Sequence, residues 1–249
     1  MIFKKKNLIH FLKTAKNYAQ FELFSKWNKS KKKKVILLRH DVDYDLNAAL
    51  KIALIEKKLK IKSTFFILAS SFAYNILSKK NSNIIFKISK LGHEIGLHFD
   101  TSIYKRNYEK NAIFEANILS KIIGKKIKSI SFHNPSVNGK YPKFKNFLCA
   151  YDKQIFSDRT YLSDSRMNFR NKNPFEFLKI AKKDTIQILL HPMHYHDKPN
   201  GYSKIIMSYF KNLVYEMNQD WLLNSSFRKE TKNKKNFINI LELKKPKKN

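Results

Sequence analysis

The chain has 249 residues, of which 43% are hydrophobic and 14% are aromatic. This length suits one large domain with a buried core, and the composition argues against an intrinsically disordered chain. The single cysteine, Cys149, excludes a disulfide framework and a cysteine-rich zinc site, and it fits a reducing compartment. The formal net charge of +32 predicts a surface that attracts anions.

The positive charge raises the question of nucleic-acid binding, which the composition disfavours. Nearly all of the 51 basic residues are lysine, whereas proteins that read base edges favour the planar fork of arginine. Nucleotide-sugars, acidic glycans and anionic lipid head groups are the anions that we expect instead. A peripheral attraction to an anionic membrane surface belongs to this expectation.

The N-terminal segment predicts a short amphipathic helix. Apolar residues recur there at helical spacing, at Leu8, Phe11, Leu12, Ala15 and Ala19. We favour a helix packed on the domain over one that lies on a membrane surface. The segment lacks the apolar core of a signal peptide, and no stretch approaches the roughly 18 consecutive apolar residues of a membrane span. We therefore expect a cytoplasmic protein.

Strand and helix patterns alternate along the rest of the chain. Strands are predicted at 35–39, 63–68, 94–97, 127–132, 147–151, 159–162 and 185–190, and helices near 46–54, 84–91, 112–123, 175–181 and 205–217. Repeated strand–helix units indicate an α/β fold with parallel strands and right-handed crossovers. We divide the chain into an N-terminal helix and basic loop (1–33), one catalytic domain (34–227) and a Lys-rich tail (228–249).

Aspartate and histidine side chains follow the ends of four predicted strands. In chain order they are Asp41 and Asp43, His98 and Asp100, His133, and His191 with His194 and His196. Because the carboxyl ends of parallel strands share one face of the sheet, these side chains are expected to converge. A histidine and carboxylate cluster without thiolates suits Zn²⁺ or a similar divalent ion in an open, catalytic site.

Four motifs carry a resemblance to a known family. They are RHDVD (39–43), GHEIGLHFD (92–100), SFHNPS (131–136) and ILLHP (188–192). Together they resemble the motif series of the polysaccharide-deacetylase superfamily (NodB-like, carbohydrate esterase family 4-like), in particular a branch associated with surface-polysaccharide genes. The resemblance covers about 34–192. It implies a distorted or incomplete (β/α) barrel with outer helices.

The resemblance also implies an activity. It predicts a metal-dependent hydrolase that deacylates an amino sugar in surface-polysaccharide biosynthesis, on a carbohydrate or a nucleotide- or lipid-linked sugar. Asp41 matches the general base and His191 the general acid that protonates the leaving amine. Asp43 matches a metal ligand, although Asp43 or Asp45 could instead cap the next helix.

The metal ligands depart from the family pattern at one position. His98 matches the first of two metal histidines that are four residues apart, but Ser102 occupies the second position. Another third ligand is therefore required, for which we favour His133 and, after it, Asp100. In the family's third motif an arginine orients the base, and His133 stands in that region here.

Substrate-binding roles are predicted for four residues: Asp100, Asn134, Asp164 and His194. Asp164 could instead orient a catalytic histidine or lie in a turn, and His194 could lie on a polar loop. Three other functions stay open. They are hydrolysis of a non-sugar C–N bond, glycan binding by a metal-free pseudoenzyme, which Ser102 favours, and nucleic-acid binding.

Overall fold

The computed structural model describes residues 3–27, 34–198 and 201–231. The basic run at 31–33 and the part of the predicted tail from 232 onwards therefore lie outside the described residues. The chain forms two compact units, one up to residue 199 and one from residue 200. The predicted domain boundaries at 33 and 227 remain predictions.

The first unit is built on a single sheet of parallel strands. These are β1 (Gln20–Glu22), β2 (Val35–Val42), β3 (Thr64–Leu68), β4 (Glu94–Phe99), β5 (Ser129–Phe132), β6 (Leu148–Cys149), β7 (Tyr161–Ser163) and β8 (Ile186–Leu190). The strand order is β6-β5-β4-β3-β2-β8-β7, and β1 pairs with the first residues of β2. No pairing joins β6 to β7 in the described chain, so the curled sheet stays open. The predicted α/β class and incomplete barrel are confirmed.

Helices surround this sheet. They are α1 (Lys5–Ala15), α2 (Leu46–Lys58), α3 (Lys79–Lys90), α4 (Tyr108–Ile123), α5 (Pro135–Asn138) and α6 (Pro174–Leu178). The second unit contains α7 (Tyr202–Trp221) and α8 (Ser225–Thr231). The side chain of Asp45 accepts a hydrogen bond from the backbone N–H of Ala48, so Asp45 caps α2 and Asp43 does not. No described helix is both long and apolar enough to cross a bilayer.

Helix α1 buries the apolar face that its sequence predicts. Leu8, Phe11, Leu12 and Ala15 are fully buried, and the ring of Phe11 meets that of Phe175 in α6 at 5.6 Å. Burying this face favours packing on the domain over a position on a membrane surface. The helix ends at Ala15, and the short strand β1, which the sequence pattern did not predict, follows it.

Strand β2 is the centre of the first unit, and all eight of its residues are buried. Successive side chains of a strand point to opposite faces of the sheet. His40 points outward to α2, where its Nε2 lies 2.7 Å from Glu56 Oε1. Val35 and Leu37 belong instead to a core cluster with Phe66. Arg39, Asp41 and Asp43 have odd numbers like Val35, so this alternation directs them to the inner face.

Glu115 on α4 is another buried carboxyl group, and its pKa lies near neutral pH. Burial raises the pKa of Glu115 to about 7, against the opposing effect of the hydrogen bond from Tyr104 Oη at 2.7 Å. The folded-state pKa thus lies above the ordinary value of 4.5. The stabilising contribution of the neutral carboxyl is therefore present at low pH and is lost as pH rises through about 7.

We predict that Glu115→Gln removes this pH dependence. Between pH 5 and pH 8, the free energy of unfolding of the wild type should fall by about 2 kcal/mol relative to the variant. Urea denaturation at the two pH values measures this difference. The exposed Glu216→Gln serves as the control and should follow the wild type at both. An equal pH dependence in Glu115→Gln and the wild type would contradict the assignment.

Candidate active site

The inner face of β2 and the ends of three other strands bring the predicted polar residues together. Asp41 and Asp43 lie at the end of β2, His98 lies near the end of β4, and His133 follows β5. His191 follows β8, which pairs with β2 on the side opposite β3. Because all these strands are parallel, their carboxyl ends form one edge, and the site lies at that edge.

Three ligand atoms form an almost equilateral triangle. Asp43 Oδ1 lies 3.2 Å from His98 Nε2 and 3.1 Å from His133 Nδ1, and the two histidine nitrogens are 3.3 Å apart. A tetrahedral zinc ion with ligands at about 2.0–2.1 Å requires ligand atoms about 3.4 Å apart. The donor types and their spacing therefore fit a divalent metal ion. His133 supplies the donor that Ser102 cannot.

The electrostatics of this triangle favour an ionised carboxylate at Asp43, and the hydrogen bond to Asp43 raises the pKa of His133 against the effect of burial. Although burial opposes it, hydrogen bonds from His133 and His98 hold the pKa of the Asp43 carboxyl well below its usual range. The side chain of Asp43 is 14% exposed and that of His133 is 16% exposed, so the triangle opens to solvent. An open position of this kind is the mark of a catalytic rather than a structural metal site.

Ser131 links the proposed metal ligand His98 to Asp41. His98 Nδ1 lies 2.6 Å from Ser131 Oγ, which in turn donates a 3.4 Å hydrogen bond to Asp41 Oδ1. Ser131 Oγ therefore accepts the Nδ1 proton, and this tautomer leaves His98 Nε2 as the metal donor. Hydrogen bonds of this type fix the ring orientation and basicity of ligating histidines. Sequence reasoning did not find Ser131.

Arg39 holds the other oxygen of Asp41. Its Nη2 donates to Asp41 Oδ2 at 2.8 Å and to Tyr151 Oη at 3.0 Å, and its Nη1 donates to Gln187 Oε1 at 3.0 Å. The guanidinium is fully buried and lies 4.9 Å from the centre of the Tyr151 ring. The buried guanidinium is therefore paired with a carboxylate and holds the Asp41 side chain in place. In the family that the motifs resemble, an arginine of the third motif makes this contact with the base. Here Arg39, two residues before the base, makes it.

His191 belongs to a buried histidine–aspartate group. Its Nδ1 lies 2.6 Å from Asp164 Oδ1, and its backbone N–H donates to both Asp164 oxygens. Burial opposes protonation, but the charge of Asp164 outweighs it and raises the pKa of His191 to about 9. The free Nε2 edge of His191 faces Asp43 Oδ2 at 3.8 Å. His191 is thus a cation at neutral pH beside the metal triangle.

The structure places two of the predicted substrate-binding residues, Asp164 and His194, in the interior. Asp164 is fully buried and its two oxygens are engaged by His191 and by His194 Nδ1, at 3.2 Å for the latter. His194 is only 2% exposed. Burial of both side chains disfavours substrate binding and favours the alternative interpretation, in which Asp164 orients a histidine. Asp164, His191 and His194 also offer potential metal-ligand atoms that lie close together. Their buried hydrogen bonds match an orienting group better than an open metal site.

The remaining two predicted substrate-binding residues lie at the opening of the site. Asp100 Oδ1 accepts a 2.8 Å hydrogen bond from the backbone N–H of Ser102, so it caps a turn and lies outside the triangle. Asn134 is exposed, and its amide nitrogen lies 2.9 Å from His133 Nε2. With Nδ1 of His133 bound to a metal ion, Nε2 would carry the proton and Asn134 would offer its amide oxygen. Substrate contacts of Asp100 and Asn134 stay predictions.

We predict that Ser131→Ala weakens zinc affinity about tenfold to a hundredfold, because His98 loses the hydrogen bond that fixes its ring. Competition with a chromophoric chelator measures the affinity. Ser129→Ala is the matched control, since Ser129 lies two residues earlier on β5 and its hydroxyl donates to Glu94 Oε1 at 2.7 Å, away from the triangle. Equal zinc affinity in the two variants would show that Ser131 has no part in the site.

Comparisons with known proteins found similar solved structures. No protein-family model and no curated protein matches the sequence. A family 4 acetyl xylan esterase from Clostridium thermocellum in complex with a cobalt ion shares 16% identity over 73% of this chain and 84% of that one, with a TM-score of 0.40.

Two further solved structures are similar at the same level. A peptidoglycan deacetylase from Bacillus subtilis shares 16% identity over 76% of this chain and 97% of that one, with a TM-score of 0.41. A family 4 pseudoenzyme from Bacillus anthracis shares 17% identity over 73% of this chain and 62% of that one, with a TM-score of 0.41. The solved structures described here thus come from the group that the four motifs resemble, the carbohydrate esterase family 4 and polysaccharide deacetylases.

Proposed function

We propose that this chain is a metal-dependent hydrolase that removes the acyl group of an N-acylated amino sugar in surface-polysaccharide biosynthesis in the cytoplasm. The observation that carries the proposal is the triangle of Asp43, His98 and His133, with Asp41 and His191 beside it. Zn²⁺ is the ion that we favour, because two imidazoles and one carboxylate with an open position are typical of catalytic zinc sites.

A divalent ion held by this triangle would act as a Lewis acid and lower the pKa of a water molecule in the site. Asp41 is the proposed general base. It pairs with the buried guanidinium of Arg39, and Arg39 and Ser131 hold it in one orientation. A positioned carboxylate of this kind can accept the proton of the attacking water.

His191 is the proposed general acid. Its pKa of about 9 keeps the ring protonated at neutral pH, so it can give a proton to the leaving amine. Asp164 holds the Nδ1 side of the ring at 2.6 Å, which leaves the Nε2 side for the reaction. The charge of Asp41 also contributes to the raised pKa of His191, so the proposed base favours the protonated form of the proposed acid.

The geometry weighs against the pseudoenzyme alternative. That reading depends on Ser102, which removes one of the two expected histidines. His133 compensates for the loss, since its Nδ1 lies 3.1 Å from Asp43 Oδ1 and completes a three-donor set. Hydrolysis of a non-sugar C–N bond would use the same groups, and a panel of N-acyl substrates distinguishes it from deacetylation of an amino sugar.

We predict about one zinc ion per chain in the purified wild type after loading, as measured by elemental analysis. His98→Ala and His133→Ala should each lose it, because each removes one of three protein ligands. His10→Ala, an exposed histidine on α1, is the control and should retain the metal. Full occupancy in His133→Ala would contradict its role as the third ligand. An unloaded wild type under the same conditions would favour the pseudoenzyme.

We further predict that Asp41→Asn separates chemistry from metal binding. The variant should keep its zinc, since Asp41 is not in the triangle, while its kcat on an N-acetyl amino-sugar substrate falls by about a hundredfold or more. Initial rates and metal content of the same preparation test this. Unchanged kcat in Asp41→Asn would exclude Asp41 as the general base.

A further inference from the structure

Four exposed apolar side chains stand on the loops that follow β3, β4 and β5. Phe72 is 82% exposed, Val137 is 74% exposed, Ile103 is 52% exposed and Tyr141 is 50% exposed. We name these four residues the mouth rim. Single exposed apolar residues are common on protein surfaces, but apolar tips on three successive loops around one opening are typical of an interaction surface.

Hydrogen bonds and ring contacts tie each of these loops to the active-site edge. Beside Phe72, Ser71 Oγ donates to the backbone carbonyl of Asp43 at 2.8 Å. Val137 donates its backbone N–H to the carbonyl of Asn134, directly after His133. The mouth rim is therefore next to the metal triangle rather than at a distant end of the loops.

The other two loop contacts are aromatic. Tyr104, beside Ile103, stacks on Phe99 at the end of β4 with ring centres 5.3 Å apart. The ring of Tyr141 meets that of Phe132 at the end of β5, at 6.4 Å. These ring contacts anchor Tyr141, and the neighbour of Ile103, to the ends of β5 and β4.

The same region is mainly positive. Residues 69–78, 100–107 and 133–147 contain one carboxylate, Asp100, and five exposed basic residues: Lys105, Arg106, Lys140, Lys143 and Lys145. Helix α3 begins directly after the first of these segments with the exposed Lys79 and Lys80. A neighbouring carboxylate, Glu109 on α4, accepts hydrogen bonds from the backbone N–H groups of Lys145 and Asn146. Basic residues therefore outnumber carboxylates on these segments.

We propose that the mouth rim docks the active site onto an anionic membrane surface. Apolar tips that enter the boundary between head groups and acyl chains, with lysines among the anionic head groups, are the combination that peripheral membrane proteins use. Tyr141 suits the interface, because its ring is apolar and its hydroxyl is polar. The substrate would then be an amino sugar on a lipid carrier. That last step rests on the proposed function, whereas the docking does not.

Co-sedimentation with vesicles of phosphatidylcholine and phosphatidylglycerol tests the docking. The triple variant Phe72→Ser, Ile103→Ser and Val137→Ser should bind at least about tenfold more weakly than the wild type, because each substitution removes an apolar side chain that would enter the membrane. The matched control is Leu54→Ser, Phe86→Ser and Phe114→Ser, three exposed apolar residues on α2, α3 and α4. This control should bind like the wild type.

Equal binding of the two triple variants would overturn the proposal, since it would mean adsorption through charge alone. A rim variant that keeps vesicle binding but loses affinity for a soluble N-acetylated oligosaccharide would also overturn it, and would make the rim a glycan subsite. Zinc content of the rim variant should equal that of the wild type. This readout separates failure of the docking from failure of the metal-dependent function.

Discussion

The alternation of side chains along β2 is the constraint on which the site depends. Odd-numbered residues of this strand face the inside of the incomplete barrel, so Arg39 and Asp41 lie on one side, and Asp43, directly after the strand, continues the alternation. Even-numbered His40 faces α2 and pairs with Glu56. A shift of one residue in the register of β2 would send the base and the proposed metal ligand outward, and the other strand ends would then have no carboxylates to meet.

Two departures from the family pattern compensate for each other. The position of the second metal histidine holds Ser102, and the region of the third-motif arginine holds His133. His133 lies 3.1 Å from Asp43 and so restores the number of donors, while Arg39 contacts Asp41 at 2.8 Å and so restores the buried cation beside the base. The same groups are present, but they come from different strands. A position-by-position comparison of the motifs would count one histidine and one arginine as missing. In the three-dimensional site, His133 and Arg39 supply a donor and a cation in their place.

The sequence predicts the parallel strands well, because continuous apolar runs such as 35–39 and 185–190 are typical of strands that are buried on both faces of a sheet. It also predicts that Asp41, Asp43, His98, His133 and His191 converge, since they follow strand ends. It does not decide between substrate binding and the alternatives for Asp164 and His194, because whether a polar side chain on a loop faces solvent or the core depends on distant packing. Arg39 could have been found from the same alternation that directs Asp41 inward. Ser131 and Tyr151 could not, because Ser131 lies within β5 rather than after its end and Tyr151 follows a strand of only two residues.

Anomalous diffraction at the zinc edge from crystals of the zinc-loaded protein tests the central claim most directly. The account predicts one strong peak within bonding distance of Asp43 Oδ1, His98 Nε2 and His133 Nδ1, with Asp164 still hydrogen-bonded to His191. A peak on Asp164, His191 and His194 instead, or a fully loaded protein with His133 turned away from the ion, would contradict it.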